Sequence, residues 1–395
     1  MKYVVIGGAG AMGRITVKDL VETTKPDDTV VIADYDYTKA QQLAKNLGPK
    51  AQALQLNVRD HQATVKALEG SVAVINCAHH HFNIDVMKAA IAAKTNYVDL
   101  GGLFYITQKQ LELDSQFKAI GKVAIIGMGA APGIDNVLAT YAAEGLDKVT
   151  EVHCRVGGSD NTKYQPTPAL AVSYTIKTIL DEFSQRPAVF TKGKLQFVDP
   201  MSGAKPHKFP APVGVVKPMY TIHSEVATLP KSFSNRGVKE VSFKIAFDPE
   251  FTDKVRFIRD VGLASHDPIE INGTKVAPID VVNKVVMSQP AAKQIGPLKQ
   301  YEVVRTIVKG TKNKKKVTVI AECHTSGMPS WGIGLDIDTG SPPSIVAQMI
   351  ANKDVTGTGV LPPEIGVPYK PFFIQLKRRK MKIKLTKKSG WSFVV

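Results

Sequence analysis

The 395-residue chain carries 51 Lys and Arg against 35 Asp and Glu, a net charge of +16, with 44% apolar residues. That length predicts two or three domains around a sizeable core, and no apolar run approaches the roughly 20 residues a membrane span needs. Cys77, Cys154 and Cys323 are too far apart for a disulfide framework or a paired zinc site, and Lys2 followed by a short strand is no secretory leader, so a cytoplasmic protein with reduced thiols is expected.

The stretch Tyr3-Val-Val-Ile-Gly-Gly-Ala-Gly-Ala-Met-Gly13 is an apolar strand that breaks into glycines and opens a helix. A second apolar run, Val30 to Ala33, ends on Asp34, 21 residues beyond Gly13. Strand, glycine loop, helix and acid together form the dinucleotide-binding fingerprint. Gly8 is assigned the tight turn, Gly10 the close approach of the pyrophosphate, and Gly13 the close contact of helix and sheet. Ala11 and Met12 lie in the same loop, where the free N–H groups of the helix start face the phosphates. Asp34 is expected on the adenosine ribose hydroxyls. Its charge repels a 2′-phosphate and favours NAD over NADP, while Arg14 and Tyr35 are near enough in sequence to keep NADP possible.

Strands are predicted at 29–33, 53–56, 72–77, 96–100 and 122–128. Between them, Ala40, Leu43, Ala44 and Leu47 form a helical stripe, and Asn83 is placed as the cap of a helix over 84–94. Strands alternating with helices predict an α/β fold, a doubly wound parallel Rossmann sheet over residues 1–129. Ligands of such sheets bind beyond the carboxyl ends of the strands. Asn57 and Val58, then Asn76, Cys77 and Ala78, are therefore assigned to the cofactor. Asp99-Leu-Gly-Gly102 and the loop from Gly127 to Asn136 should surround the nicotinamide, with Asp135 and Asn136 either binding substrate or capping the next helix. One of His79, His80 and His81 is read as lining the mouth of the site, because three adjacent histidines of an extended chain cannot all face one metal ion.

From about residue 130 the pattern changes to a second, α+β domain with a mostly antiparallel sheet, reaching to 335. Strands are predicted at 151–156, 195–198, 240–247, 302–308 and 316–322, a helix at 168–184, and a long loop at 199–218. Lys309 and Lys312 to Lys316 around Asn313 read as a hairpin tip. This domain supplies His223 as a candidate general base, an alternative to Asp99. Tyr220 and the arginines Arg155 and Arg236 are candidate substrate contacts, the arginines as clamps on a carboxylate. A helix from Ser341 to Lys353, with Pro342 and Pro343 placed in its first turn, belongs to a segment over 336–376 that returns to the first domain. Residues 377–395 read as a basic tail, solvated rather than bound to nucleic acid.

Val5-Ile-Gly-Gly-Ala-Gly-Ala-Met-Gly13, Val74-Ile-Asn-Cys-Ala78, Tyr97-Val-Asp-Leu-Gly101, Ala131-Pro-Gly-Ile-Asp-Asn136, His223-Ser-Glu225 and Gly357-Thr-Gly-Val-Leu-Pro-Pro-Glu364 carry a resemblance. The chain resembles the saccharopine dehydrogenase-like oxidoreductases, and among them the lysine 6-dehydrogenases most. The resemblance implies a nicotinamide cofactor and chemistry at a C–N bond of an amino acid or amine, with oxidative deamination of the lysine side chain expected first. Reductive condensation of an amine with an aldehyde, as in saccharopine- and carboxynorspermidine-forming relatives, is the alternative, and a cofactor-sensing binding protein is the alternative from another class. Dimerisation through the second domain's sheet is also implied. Two features depart from the family: the three histidines, where prolines are common, and the basic tail.

Overall fold

The computed structural model describes residues 1–170, 172, 175–290 and 292–389. The first domain alternates strand and helix, with two helices before its sixth strand: β1 Lys2–Ile6, α1 Gly13–Thr23, β2 Thr29–Asp34, α2 Tyr37–Leu47, β3 Ala51–Gln55, α3 His61–Leu68, β4 Ala73–Asn76, α4 Asn83–Ala92, β5 Asn96–Asp99, α5 Leu103–Leu111, α6 Asp114–Ala119 and β6 Val123–Ile125. Local chemistry marks these boundaries. Asp36 and Asp60 cap α2 and α3 by accepting from the Lys39 and Ala63 amides. Asn83 does not cap α4 as predicted. It is the helix's first residue, and its side chain is taken up by Asn76 and the Gly101 carbonyl. The helix stops at Ala92, before Lys94 turns left-handed at φ 51°.

Helix α7 (Ile134–Ala143) leads into the second domain: β7 Lys148–Asp160, α8 Ile176–Ser184, β8 Ala188–Thr191, β9 Lys194–Phe197, α9 Glu225–Ser232, β10 Glu240–Ala246, α10 Pro249–Asp260, α11 Pro278–Met287, β11 Gln300–Lys312 and β12 Lys315–Thr325. The helix predicted over 168–184 is realised only from Ile176; residues 171, 173 and 174 lie outside the described residues. The lysine-rich hairpin tip is present, with Asn313 and Lys314 both at positive φ, as a two-residue turn between twisted strands requires.

The chain then returns through α12 Ile337–Ala351 to β13 Gly359–Leu361, α13 Tyr369–Arg378 and β14 Lys382–Ser389. The first sheet is wholly parallel in the order β13-β6-β5-β4-β1-β2-β3. The second runs β9-β8-β10-β7-β11-β12-β14 and is antiparallel except where β10 pairs with β7. Two expectations are corrected here. Helix α12 starts at Ile337, so Pro342 and Pro343 are its sixth and seventh residues rather than part of its first turn. The basic run is no trailing tail: Lys382, Lys384 and Lys388 lie on β14, paired with His324, Glu322 and Thr318 of β12. Lysines on an edge strand discourage pairing with a further strand.

One apolar core joins the two sheets. It runs from Tyr3, Val5 and Ile32 through Val137 and Leu138 of α7 and Ile345 of α12 to Val152, Cys154, Val304 and Val319. Helix α12 crosses α1 at Gly340, where a Cβ would lie 2.6 Å from Ile15. Beside this crossing, Arg379 grips both oxygens of fully buried Asp19 at 2.7 Å, and Ser344 Oγ donates to the same carboxylate at 2.6 Å. Removing one partner of such a pair leaves an uncompensated buried charge, at a cost of about 3–5 kcal/mol. Arg379→Ala is therefore expected to lower the urea midpoint by that equivalent, and Asp19→Asn in the same background to recover part of it.

Candidate active site

The turn out of β1 is made by Gly7, at φ +67°, one residue earlier than the motif suggested. A side chain on Gly7 would meet the Ala78 amide at 2.8 Å. Gly8 keeps φ negative and instead permits packing, since its Cβ would stand 2.9 Å from Ile32. At Gly13 a Cβ would fall 2.1 Å from the Gly7 carbonyl, so the helix can close on the loop only with glycine there. Gly10 has just the Gly7 carbonyl near its missing side chain, at 3.1 Å, which leaves the backbone open beside Ala11, Met12 and the start of α1. Asp34 ends β2 and braces this loop, accepting from the Ala9 and Asp36 amides at 3.0 Å. It lines a cleft of about 410 Å³ with Tyr35, Asn57, Val58, Ala78 and Arg59. Arg59, with its guanidinium 5.8 Å from the Phe82 ring, was missed by the sequence reading. Arg14 lies elsewhere: its Nε donates to the Ala11 carbonyl and its charge faces Asp336.

At the other end of the glycine loop, Asn76 turns inward to Asn83 and the Ala78 amide. The Cys77 thiol sits 3.5 Å from the Thr16 hydroxyl, and burial pushes its pKa up to about 12, so it stays uncharged. Asp99 is fully buried. One of its oxygens accepts from the Gly101 and Gly127 amides, at 2.9 and 2.7 Å; the other accepts from Tyr97 Oη at 2.8 Å and Gln110 Nε2 at 2.5 Å. With these four donors Asp99 has no lone pair left for substrate. The geometry makes it a clasp between the loops after β5 and β6 rather than a proton carrier.

Helix α7 begins at Gly133, whose φ of +132° and 2.3 Å separation between a would-be Cβ and the Gly129 carbonyl demand glycine. Asn136 caps it, accepting from the Gly133 amide at 3.0 Å and donating to Glu364 at 2.9 Å. Asp135 accepts from the Asn136 amide at 2.8 Å and lies beside Glu225, which in turn holds His223 Nδ1 at 2.9 Å. The His223 ring stacks on Phe243 at 3.8 Å between centroids. Burial pushes Glu225 up to about 7, pushes Asp135 well above the carboxylate range with the charge of Glu225 adding to it, and pushes His223 down. Burial therefore favours the protonated form of both carboxyls beside the imidazole. Ser224 fixes this group to the first domain, accepting from Thr107 at 3.0 Å and donating to the Leu103 carbonyl at 3.2 Å.

The two arginines do not converge on this group. Arg236 donates to the Ala143 and Leu146 carbonyls and so closes the C-terminal end of α7. Alternation along β7 puts Arg155 on the sheet face opposite Cys154, whose side faces Asp135. There Arg155 donates to Ser242, and its cross-strand neighbours are Lys244 and Arg305. Tyr220 lies on that side too, its ring 4.1 Å from Lys244 Nζ. Arg155 and Tyr220 thus share a basic pocket on the outer face, away from His223.

A second acidic group was not foreseen. The start of α12 meets the loop after β6, with Thr339 Cγ2 3.5 Å from where a Gly129 Cβ would stand. Asp338 lies beside Glu302 of β11, and burial raises both carboxyls. Asp336 is raised to about 6 by burial, with Arg14 opposing. Pro342 and Pro343 lack N–H groups, so the carbonyls of Asp338 and Thr339 have no i+4 donor within the helix. His79, His80 and His81 occupy a tight helical turn after β4, not an extended chain, and their rings stack at 4.2–4.5 Å.

Residues 3–125 match the saccharopine dehydrogenase NADP binding domain, and residues 129–381 match the saccharopine dehydrogenase C-terminal domain. Carboxyaminopropylagmatine dehydrogenase of Synechocystis sp. is 25% identical over 74% of each chain. Carboxynorspermidine synthase of Vibrio cholerae is 24% identical over 80% of each. Among solved structures, saccharopine dehydrogenase (L-Glu forming) of Saccharomyces cerevisiae superposes with a TM-score of 0.71 at 17% identity, covering 98% of this chain and 99% of that one. Homospermidine synthase of Legionella pneumophila, in complex with NAD, gives 0.68 at 11% identity, covering 98% and 91%. Among the described residues no helix is long and apolar enough to cross a membrane.

Glu225 ionises at about 7 in the fold against an ordinary 4.5. The folded state therefore holds more protons than the unfolded one between these values, and stability falls as pH rises from 4.5 through 7. Urea unfolding from pH 5 to 8 should show this decline in the native protein and a flatter profile in Glu225→Gln, which keeps the shape and an acceptor for His223. Identical slopes would show that Glu225 does not hold the proton.

Proposed function

The chain belongs to the saccharopine dehydrogenase family, and from that premise we propose that it reductively joins an amine to the aldehyde of an amino acid, forming a secondary amine. It is an NAD(P)-dependent oxidoreductase, and the open Gly10 backbone, the exposed start of α1 and the carboxylate-lined ribose cleft suit a dinucleotide. When bound, the nicotinamide donates or accepts a hydride at C4. The observation that carries the proposal is the acidic group at the start of α12. Asp338, Glu302 and two carbonyls without helical partners, next to the Gly129 loop, form a receptor for a protonated amine. The raised carboxyls match the proton movements required. One carboxylate takes a proton from the ammonium, freeing the lone pair that attacks the aldehyde. Loss of water gives an imine, and the protonated carboxyl keeps that imine cationic until hydride reaches its carbon. In the reverse direction the same base deprotonates the secondary ammonium before oxidation. The Asp135–Glu225–His223 group, pinned to the first domain by Ser224, is a second proton store at the domain boundary.

The names of two relatives, a carboxyaminopropylagmatine dehydrogenase and a carboxynorspermidine synthase, favour this reading over deamination of lysine. The acidic receptor also suits the lysine side-chain ammonium, so the two reactions separate only by assay. With NADPH or NADH, absorbance should fall when a diamine and an amino-acid semialdehyde are both present, and hold steady with either alone. Reduction of NAD or NADP by lysine alone would instead establish the deaminating reaction. Asp338→Asn should raise KM for the amine at least tenfold and leave KM for the aldehyde within twofold. Asp34 at the ribose cleft favours NAD, while Arg59 and Tyr35 lie where a 2′-phosphate would sit. Asp34→Ala should therefore move the NADP:NAD ratio of kcat/KM upward at least tenfold. The homodimer implied by the resemblance belongs to the same reading and is checked by light scattering.

A further inference from the structure

The histidine run after β4 faces the second domain across the mouth of the cleft. Ligand nitrogens of His79, His80 and His81 all lie within 4.8 Å of one another. His79 Nδ1 and His81 Nδ1 point at each other across 2.8 Å, an arrangement that requires a proton on one of them. Opposite stands Asp181 of α8, its side chain only 2% exposed. Asp181 Oδ1 is held by His266 Nε2 at 2.5 Å. Asp181 Oδ2 lies 4.0 Å from His80 Nε2 and has no hydrogen-bond partner. The nearby Lys177 ammonium is engaged by Asp280 at 2.6 Å.

This is an unsatisfied arrangement as it stands. A buried carboxylate oxygen without a donor costs several kcal/mol unless a cation or proton meets it. His79 Nε2 is likewise buried without a hydrogen-bond partner, while His79 Nδ1 accepts from the His81 amide at 3.4 Å. Zinc takes histidine nitrogen at about 2.0–2.1 Å and carboxylate oxygen at about 2.0–2.2 Å, so tetrahedral ligand atoms sit roughly 3.4 Å apart. The 4.0 Å gap between His80 and Asp181 closes to that with a shift of a few tenths of an ångström on each side. The 2.8 Å pair opens by a similar amount once a metal ion replaces the shared proton.

We propose that His79, His80, His81 and Asp181 bind one divalent transition-metal ion, zinc by ligand type, with His266 orienting the Asp181 carboxylate from behind. A histidine–carboxylate contact behind a ligand is a common way of setting ligand orientation. Three ligands come from the dinucleotide domain and the fourth from α8, so the ion ties the domains together at the mouth of the cleft. The closed set of four protein ligands is that of a structural rather than a catalytic zinc centre.

Full-length protein dialysed against EDTA and titrated with cobalt(II) tests this. One equivalent per chain should bind and give the intense visible bands of tetrahedral cobalt, and zinc should abolish those bands and raise the melting temperature. His81→Ala, at an exposed position, and Asp181→Asn, which preserves shape, should each weaken cobalt binding at least tenfold. Asp181→Asn should also lose the zinc-dependent rise in melting temperature, which a site confined to the histidine run would retain. Absence of stoichiometric binding, an octahedral spectrum, or unchanged affinity in both variants would overturn the proposal.

Discussion

The cofactor end of the first sheet hangs on a single buried carboxylate. Asp99 collects four donors from β5, α5 and the loops after β5 and β6, and so sets the separation of those two loops. Everything downstream follows from where those loops stand. Pro132 lies against Gly101 and Gly127, Gly133 closes on Gly129, and α7 leaves in the one direction that lets it contact both sheets. A carboxylate whose oxygens are fully subscribed is chemically quiet, and that quietness makes it a dependable anchor.

Around that anchor buried acids gather at two helix starts. Asp135, Glu225 and Glu364 cluster near the start of α7, and Glu302 and Asp338 near the start of α12. Burial raises every one of them, so the interface stores protons instead of full negative charge. Helix N-termini suit such a store, because their unpaired amides stabilise whatever charge remains. The net positive charge of the chain sits elsewhere, on the β11–β12 hairpin, on β14 and in the pocket around Arg155, so the global balance says little about the chemistry at the cleft.

The first domain was legible because its signals are short-range. A glycine loop, an acid ending the next strand and alternating periods each declare themselves within a few residues, and one cleft beside that loop gathers Asp34, Asn57, Val58 and Ala78 from the strand ends. What failed was long-range. Nothing near Arg236 in sequence says that it closes α7, 90 residues upstream. Nothing near Arg155 says which face of its strand meets the cleft. Pro342 and Pro343 suggested a helix start, but tertiary packing at Gly340 carries the helix upstream past them. The histidine run was judged as extended chain, whereas a tight turn stacks its rings. Arg59 and Glu302 had no motif to mark them.

Both sheets are completed late in the described chain, from Gly359 onward: β13 adds the outer strand of the first and β14 that of the second. In each sheet the added strand follows all the others in the chain, so the sheet waits with an unpaired border of amides and carbonyls until that strand is made. Such borders recruit strands from neighbouring molecules. The strand that covers β12 brings its own lysines to the new border, where they discourage further pairing.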